Sequence, residues 1–278
     1  MNKAIGFSTF RSHFILLVFS FIMIYPVFWW LGASLKTVTD MKSSSIWPTT
    51  FMWENYTKGW AFSAKYSFTT FFMNTLIMEF WNVLGGVLSS AVVAFGFARI
   101  NFKFRSFWFS ILLLTLMLPG QVTIVPQYIM FNNWGLVNSY IPLILPHFLG
   151  GGAFFIFLVV QFIRGIPKEL DEAAKIDGAS VYKTFSHIIF PLIKPALVSV
   201  AIFTFIWSWD DFFGQVLYLS SIDKYTVGLA LRMFIDQFEI QWGQLLAMSL
   251  LSVVPSVILF VTAQKHFVEG IATTGIKG

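Results

Sequence analysis

The sequence predicts an all-α, polytopic membrane protein, and three observations carry that prediction. Hydrophobic residues make up 57% of the 278 positions, charged residues only 11%, and the mean hydropathy is +0.75. A soluble protein carries about a quarter of its residues as charges and cannot hide so much apolar surface from water. The aromatic share is 19%, with 34 Phe, so the chain is built for a hydrocarbon solvent. The absence of cysteine excludes disulfides, thiolate zinc sites and thiol nucleophiles.

Six apolar segments are long enough to cross a core of roughly 30 Å. They are expected near 14–35, 68–98, 106–130, 141–163, 196–219 and 243–264. The first follows a short basic head but runs on for the length of a span with no small-residue cleavage site, so it is expected to stay on the protein. The second is too long for a simple span, and its start, Phe68 to Asn74, is expected at the interface or outside. The third, fourth and sixth contain or adjoin Pro119, Gly120, Pro126, Pro142, Pro146 and Pro255, which are candidate hinges or static kinks.

An even number of spans places both termini on one side, and the Lys and Arg bias selects the cytoplasm. Twelve of the 18 basic residues then face inward, among them Arg11, Arg99, Lys103, Arg105, Arg164, Lys168 and Lys265. The outer set is Lys36, Lys42, Lys58, Lys65, Lys224 and Arg232, mixed with Asp40, Glu54, Asp223, Asp236, Glu239 and interfacial tryptophans. The net charge of +5 is thus read as topology, with no continuous basic stripe for nucleic acid. Two hydrophilic segments remain: an extracytoplasmic loop at 36–67, rich in Ser, Thr and Trp, and a cytoplasmic loop at 164–195.

The cytoplasmic loop contains IPKELDEAAKIDGASVYKTFSHIIFPLIKP at 166–195. Pro167 suits the first turn of a helix, and Glu169, Asp171 and Glu172 suit the positive end of its dipole. Leu170, Ala173 and Ala174 fall on one face, Asp177 and Gly178 tolerate the left-handed turn that ends the helix, and Ser180 can cap a second one. Spacing alone leaves two readings, a docking surface for another protein or an amphipathic helix on lipid headgroups.

The pattern Glu172, Ala173, Ala174, Gly178, Ile188, Phe190, Pro191 resembles the EAA loop of bacterial ABC importer permeases, with Phe190 where the family usually has Leu. Along essentially the whole chain the resemblance is closest to the smaller permease of maltose-type carbohydrate importers. MLPGQVTIVPQY in the third span and WSWDDFF at the end of the fifth are similar to family segments, although Asp210 stands where Asn is common. The resemblance implies a coupling helix that docks in a cleft of the ATP-binding subunit. Glu172 would pair there with a basic group, Ala173 and Ala174 would allow close approach, and Asp177 with Gly178 would permit the bend. The tail GIATTGIKG, with Gly275 and Lys277, resembles one that enters the interface between ATPase subunits. Implied partners are a second permease, two ATP-binding subunits, an extracytoplasmic sugar-binding protein and membrane lipid. ATP and Mg would be held by the ATPases and no cofactor by this chain, which has no phosphate-binding loop of its own.

Polar residues inside a bilayer usually turn toward protein or a watery path. Candidates for the substrate path are Glu79, Asn82, Gln121, Trp207, Trp209, Asp210 and Asp211, with Asn74, Gln127, Gln161 and Gln215 as further amides. Aromatic faces and carboxylates suit a sugar, and packing or interfacial anchoring explains the same rings. Two other classes fit less well. An ion-driven secondary transporter generally has inverted repeats and more buried acids. A membrane enzyme lacks support because His13, His147, His187 and His266 are scattered, with no HExxH or GxSxG motif.

Overall fold

The computed structural model describes residues 7–43, 45–150, 152–235 and 240–275, with side-chain surroundings given between 10 and 264. Among them the chain is helical, with one isolated bridge between Ile235 and Ile240. Four helices are long and apolar enough to cross a membrane, or six if each of two bent pairs counts as one span. The chain divides into two compact units, residues 1–69 with 230–254, and residues 70–229 with 255–278.

The first unit holds α1 (Phe7–Ser34), α2 (Glu54–Ala61) and the start of the last helix. Throughout its most apolar stretch α1 is uncovered. Only its end is tied down: Ser34 Oγ meets Tyr56 OH at 2.7 Å, and Asn55 Nδ2 donates to the carbonyls of Ser34 (2.9 Å) and Lys36 (3.2 Å). Trp30 Nε1 donates to Leu246 O at 3.2 Å. The loop at 36–67 is therefore ordered around α2, where Lys58 pairs with Glu54 at 2.5 Å and its hydrogen bond holds that carboxyl below the usual range. Asp236 and Glu239 lie outside the described residues.

The second unit is built on α3 (Phe68–Arg99), followed by α4 (Arg105–Thr115), α5 (Gly120–Asn133), α6 (Ile141–Phe148) and α7 (Ala153–Arg164). Next come α8 (Glu169–Ile176), α9 (Val181–Leu192), α10 (Lys194–Trp209), α11 (Phe212–Tyr218) and α12 (Val227–Arg232). The last helix, α13 (Trp242–Gly275), passes from one unit to the other at Pro255, whose missing N–H interrupts the ladder. Ala91, Ala94 and Phe95 of α3 form a core with Phe155, Val159, Val160 and Ile163 of α7, Ile189 of α9, and Ala196, Leu197 and Val200 of α10. Small residues on α3 permit this closeness: a Cβ at Gly86 would stand 3.0 Å from Thr204 Oγ1.

Three expected spans are interrupted. The third divides into α4 and α5, which meet at 102°. Pro119 lacks an N–H and restrains Leu118, so the chain turns extended at Pro119 (φ −60°, ψ 132°) and restarts at Gly120. Eleven residues of α4 rise only about 16 Å, so neither half crosses alone. The fourth is kept as one span, Ile141–Arg164, with its helix interrupted after Phe148, where Gly150 (φ +128°) and Gly152 (φ +117°) take backbone angles that side chains disfavour. The fifth does not reach 219, because α10 ends at Trp209 and the Asp211 side chain caps α11 instead. It also meets α9 at 73°. Within α9, residues Thr184–Ile189 widen into a π-helical turn just ahead of Pro191, which cannot donate to the carbonyl four residues back. Phe68 to Asn74 continue α3 without a break, which makes a 32-residue helix longer than one crossing needs, and the sixth span continues helical to Gly275, past its expected end at 264.

Gly86→Leu should overpack the α3–α10 contact and cost about 1–3 kcal/mol, read as a lowered melting midpoint in detergent. Gly96→Ala, where an added Cβ meets nothing within 4 Å, should leave that midpoint unchanged or slightly raised.

Candidate coupling face and buried polar seam

The loop between α7 and α10 is held against α3 by charge. Arg99, the last residue of α3, pairs through Nε with Asp171 Oδ2 at 2.7 Å, and its Nη2 donates to Ile166 O at 2.7 Å. The Arg99 side chain is 7% exposed and that of Asp171 22%, so screening by water is weak on one side of the pair. Sequence reasoning assigned Arg99 to topology and Asp171 to the helix dipole. Nothing local links two residues so far apart in the chain.

Helix α8 starts at Glu169, two residues after Pro167, which precedes the helix rather than sitting in its first turn. Its end is a backbone device. Ala179 N donates to Ala174 O (2.9 Å), Gly178 N donates to Lys175 O (3.1 Å), and Gly178 alone takes the left-handed conformation at φ +75°, Asp177 remaining at φ −73°. Ser180 Oγ accepts from Lys183 N at 3.3 Å, as its sequence position predicted. Ala174 is buried within the chain, which corrects its place on an open docking face: periodicity grouped it with Ala173, but it is the residue on which α8 rests. Glu172, Ala173 and Asp177 are exposed, and Ile176 is 87% exposed.

A polar seam lies inside the second unit. Glu79 and Asn82 of α3 are each 1% exposed, facing Thr204 and Ser208 of α10. Ser208 Oγ lies between Glu79 Oε2, to which it donates, and Thr204 O at 2.8 Å. Gln215 Nε2 donates to Ser208 O (3.2 Å), and Gln215 Oε1 accepts from Thr226 Oγ1. Thr75 Oγ1 accepts from Val227 N at 2.9 Å, and Asn74 Nδ2 donates to Asp223 O and Tyr225 O. Glu79 Oε1, Asn82 Oδ1 and Thr204 Oγ1 have no hydrogen-bond partner among the described residues. Each unmade bond costs about 1–3 kcal/mol, so the α3–α10 contact is weaker here than a fully paired one would be.

The structure thus brings Glu79 and Asn82 together with Ser208 and Thr204, which sequence reasoning missed because neither is charged or unusual in a helix. The other candidates lie elsewhere. Gln121 is exposed on α5. Trp207 is 52% exposed and stacks on Phe155 at 5.2 Å, beside Phe154 and Phe203. Trp209 stacks on Phe205 at 5.2 Å, while Asp210 and Asp211 are exposed. Asp211 Oδ1 accepts from Gly214 N at 2.9 Å, which gives it a capping role. Gly275 closes α13, and Lys277 lies outside the described residues. Among the described residues no group of three His, Asp or Glu could hold a metal ion.

The family described as binding-protein-dependent transport system inner membrane component matches residues 83–273, a stretch that contains α8, Gly178 and the α10 side of the seam. The chain belongs to this family. It is 34% identical over 256 residues to the probable ABC transporter permease protein YurM of Bacillus subtilis, covering 91% of this chain and 84% of the relative. It is 32% identical to the arabinooligosaccharides transport system permease protein AraQ of Halalkalibacterium halodurans, covering 93% of each. The fold is that of a chain in the crystal structure of a bacterial ABC transporter that imports the acidic polysaccharide alginate, with TM-score 0.81 and 18% identity over 96% of this chain and 99% of the other. This permease is therefore a membrane component of a binding-protein-dependent transport system.

A double-mutant cycle on Arg99→Ala and Asp171→Asn should give a coupling energy of about 1–2 kcal/mol, discounted for partial exposure. Thermal denaturation of the four proteins measures it, and a value near zero would show that the pair does not hold α8.

Proposed function

We propose that this permease forms half of the translocation path of an ATP-driven importer for a sugar or oligosaccharide. A second permease completes the path, two ATPase subunits supply the energy, and an extracytoplasmic binding protein delivers the solute. The reading rests on one observation above all: α8 is tied to α3 through Arg99 and Asp171, is buried at Ala174 and packs on the Thr184–Ile189 turn of α9, and is uncovered on its other side, at Glu172, Ala173, Ile176 and Asp177. A partner that moves the open face moves α3 with it. The oligosaccharide transport named for AraQ supports the solute class.

Motion then reaches the seam. Because α3 carries both Arg99 and Glu79, displacement of α8 acts on the contact with α10, where three oxygens already lack partners. Glu79 and Asn82 are enclosed by their own chain, so they reach a solute only when that contact opens. Trp207, Trp209, Asp210 and Asp211, at the far end of α10, and Gln121 on α5 remain the candidates for direct contact. ATP and Mg belong to the ATPases, and the tail with Gly275 and Lys277 reaches toward them.

Orientation follows the charge bias, with both termini, 164–195 and 265–278 in the cytoplasm and 36–67 outside. Because the chain has no cysteine, Thr50→Cys and Ile176→Cys each carry a single thiol. In intact cells a membrane-impermeant maleimide should label the first and spare the second, and the reverse pattern would overturn the topology. Coupling is tested by Glu172→Lys and Gly178→Asp in the reconstituted importer. Both should insert normally and lose roughly tenfold or more of the ATPase activity stimulated by the binding protein; full activity in both would remove α8 from the coupling role.

A further inference from the structure

Beside α8 lies a cleft of about 740 Å³ walled by Arg99, Arg105, Arg164, Lys168 and Lys175, against only two carboxylates, Asp171 and Glu172. Asp171 is engaged by Arg99, which leaves an excess of cations over a floor of Phe95, Phe97, Ala98 and Ile100. Arg105 is the informative member. It is the first residue of α4, the end at which the helix dipole disfavours a cation, and among the described residues only its Nη1 is engaged, donating to Ile100 O at 3.2 Å. Lys168 directly precedes the first turn of α8, where the same dipole acts against it.

Phe95 and Val181 also belong to a second depression of about 500 Å³, completed by Val92, Tyr182 and Phe185 and walled only by aliphatic and aromatic side chains. Val92 lies one turn deeper along α3 than Phe95, away from the end that carries Arg99. A cationic cleft at the end of a span therefore opens onto an apolar groove running back along that span. A free anion would use the first and leave the second empty. An amphiphile with an anionic head uses both, and basic pockets between spans on the cytoplasmic side suit phospholipid headgroups.

We propose that this cleft binds the phosphodiester headgroup of an anionic phospholipid, with an acyl chain along Val92, Phe95 and Phe185, in the leaflet that faces the ATPases. The leaflet rests on the orientation above, whereas the chemistry of the site does not. Bound there, the lipid touches α3, α4, α7, α8 and α9 together, so the state of the leaflet bears on the position of α8.

The test uses the full chain in nanodiscs of phosphatidylcholine with a trace of headgroup-labelled phosphatidylglycerol. Energy transfer from a donor dye on Ile176→Cys, exposed on α8 and outside the lining of both cleft and groove, reports occupancy. Phosphatidylglycerol should saturate the signal and labelled phosphatidylcholine should not. On that background Arg105→Gln with Lys168→Gln should weaken phosphatidylglycerol binding roughly thirtyfold, at about one cation's worth of surface attraction each. Val92→Asp, which puts a charge in the groove, should weaken the lipid and leave displacement of the label by inorganic phosphate unchanged. Equal binding of the two lipids, native-like binding by the double variant, or displacement by millimolar phosphate as effective as by lipid would overturn the site. The maleimide pattern decides the leaflet separately: a site that binds lipid in a chain of reversed orientation refutes the leaflet and the topology together, while failure to bind in a chain of the expected orientation refutes this site alone.

Discussion

In hydrocarbon there is no water to bond a free N–H or C=O, and every departure from helix in this chain has to be accommodated within that constraint. Where Pro119 ends α4, the chain restarts at once in α5. Where Pro191 removes a donor from α9, the helix widens by one residue per turn and the hydroxyls of Thr184 and Ser186 bond the carbonyls four residues back. Where α10 stops at Trp209, Asp211 accepts from the freed amide of Gly214. Interruptions are thus local, and each is followed immediately by a new helix.

On this framework charge and polarity are used sparingly and for different ends. The Arg99–Asp171 pair joins α8 to the end of α3, with its charged atoms withdrawn from water and their attraction strengthened accordingly. Among the described residues the seam between α3 and α10 holds no such pair and leaves three buried oxygens without partners. A firm joint at one end of α3 and a loosely bonded face farther along it suit a helix that transmits displacement rather than merely filling space.

Much of this was legible in the sequence, because hydropathy, capping residues and glycine act locally. The apolar runs located α1, α3 and α13, Ser180 announced a helix start, and Gly178 announced the turn that ends α8. Proline marked Pro119 as a break without giving its angle, since a kink and a fold-back share the same residues and differ only in what packs around them. Ala174 was misassigned because helical spacing says which residues share a face, not which way that face turns. Arg99 and Asp171, like Glu79 and Ser208, meet only through the packing of separate helices, and no local pattern encodes such pairs.

The uneven lengths of the spans also bear on how the chain enters the membrane. Helix α1 is apolar along its whole middle and uncovered by its own chain, so it can leave the translocon alone. Neither α4 nor α5 can, since each is too short to bridge the bilayer and each ends in bare backbone groups. Helix α4 packs on α7, which emerges later, so the bent pair has to be held beside the translocon until then, and the middle of the chain, rather than its beginning, is the stage of insertion that depends on later helices.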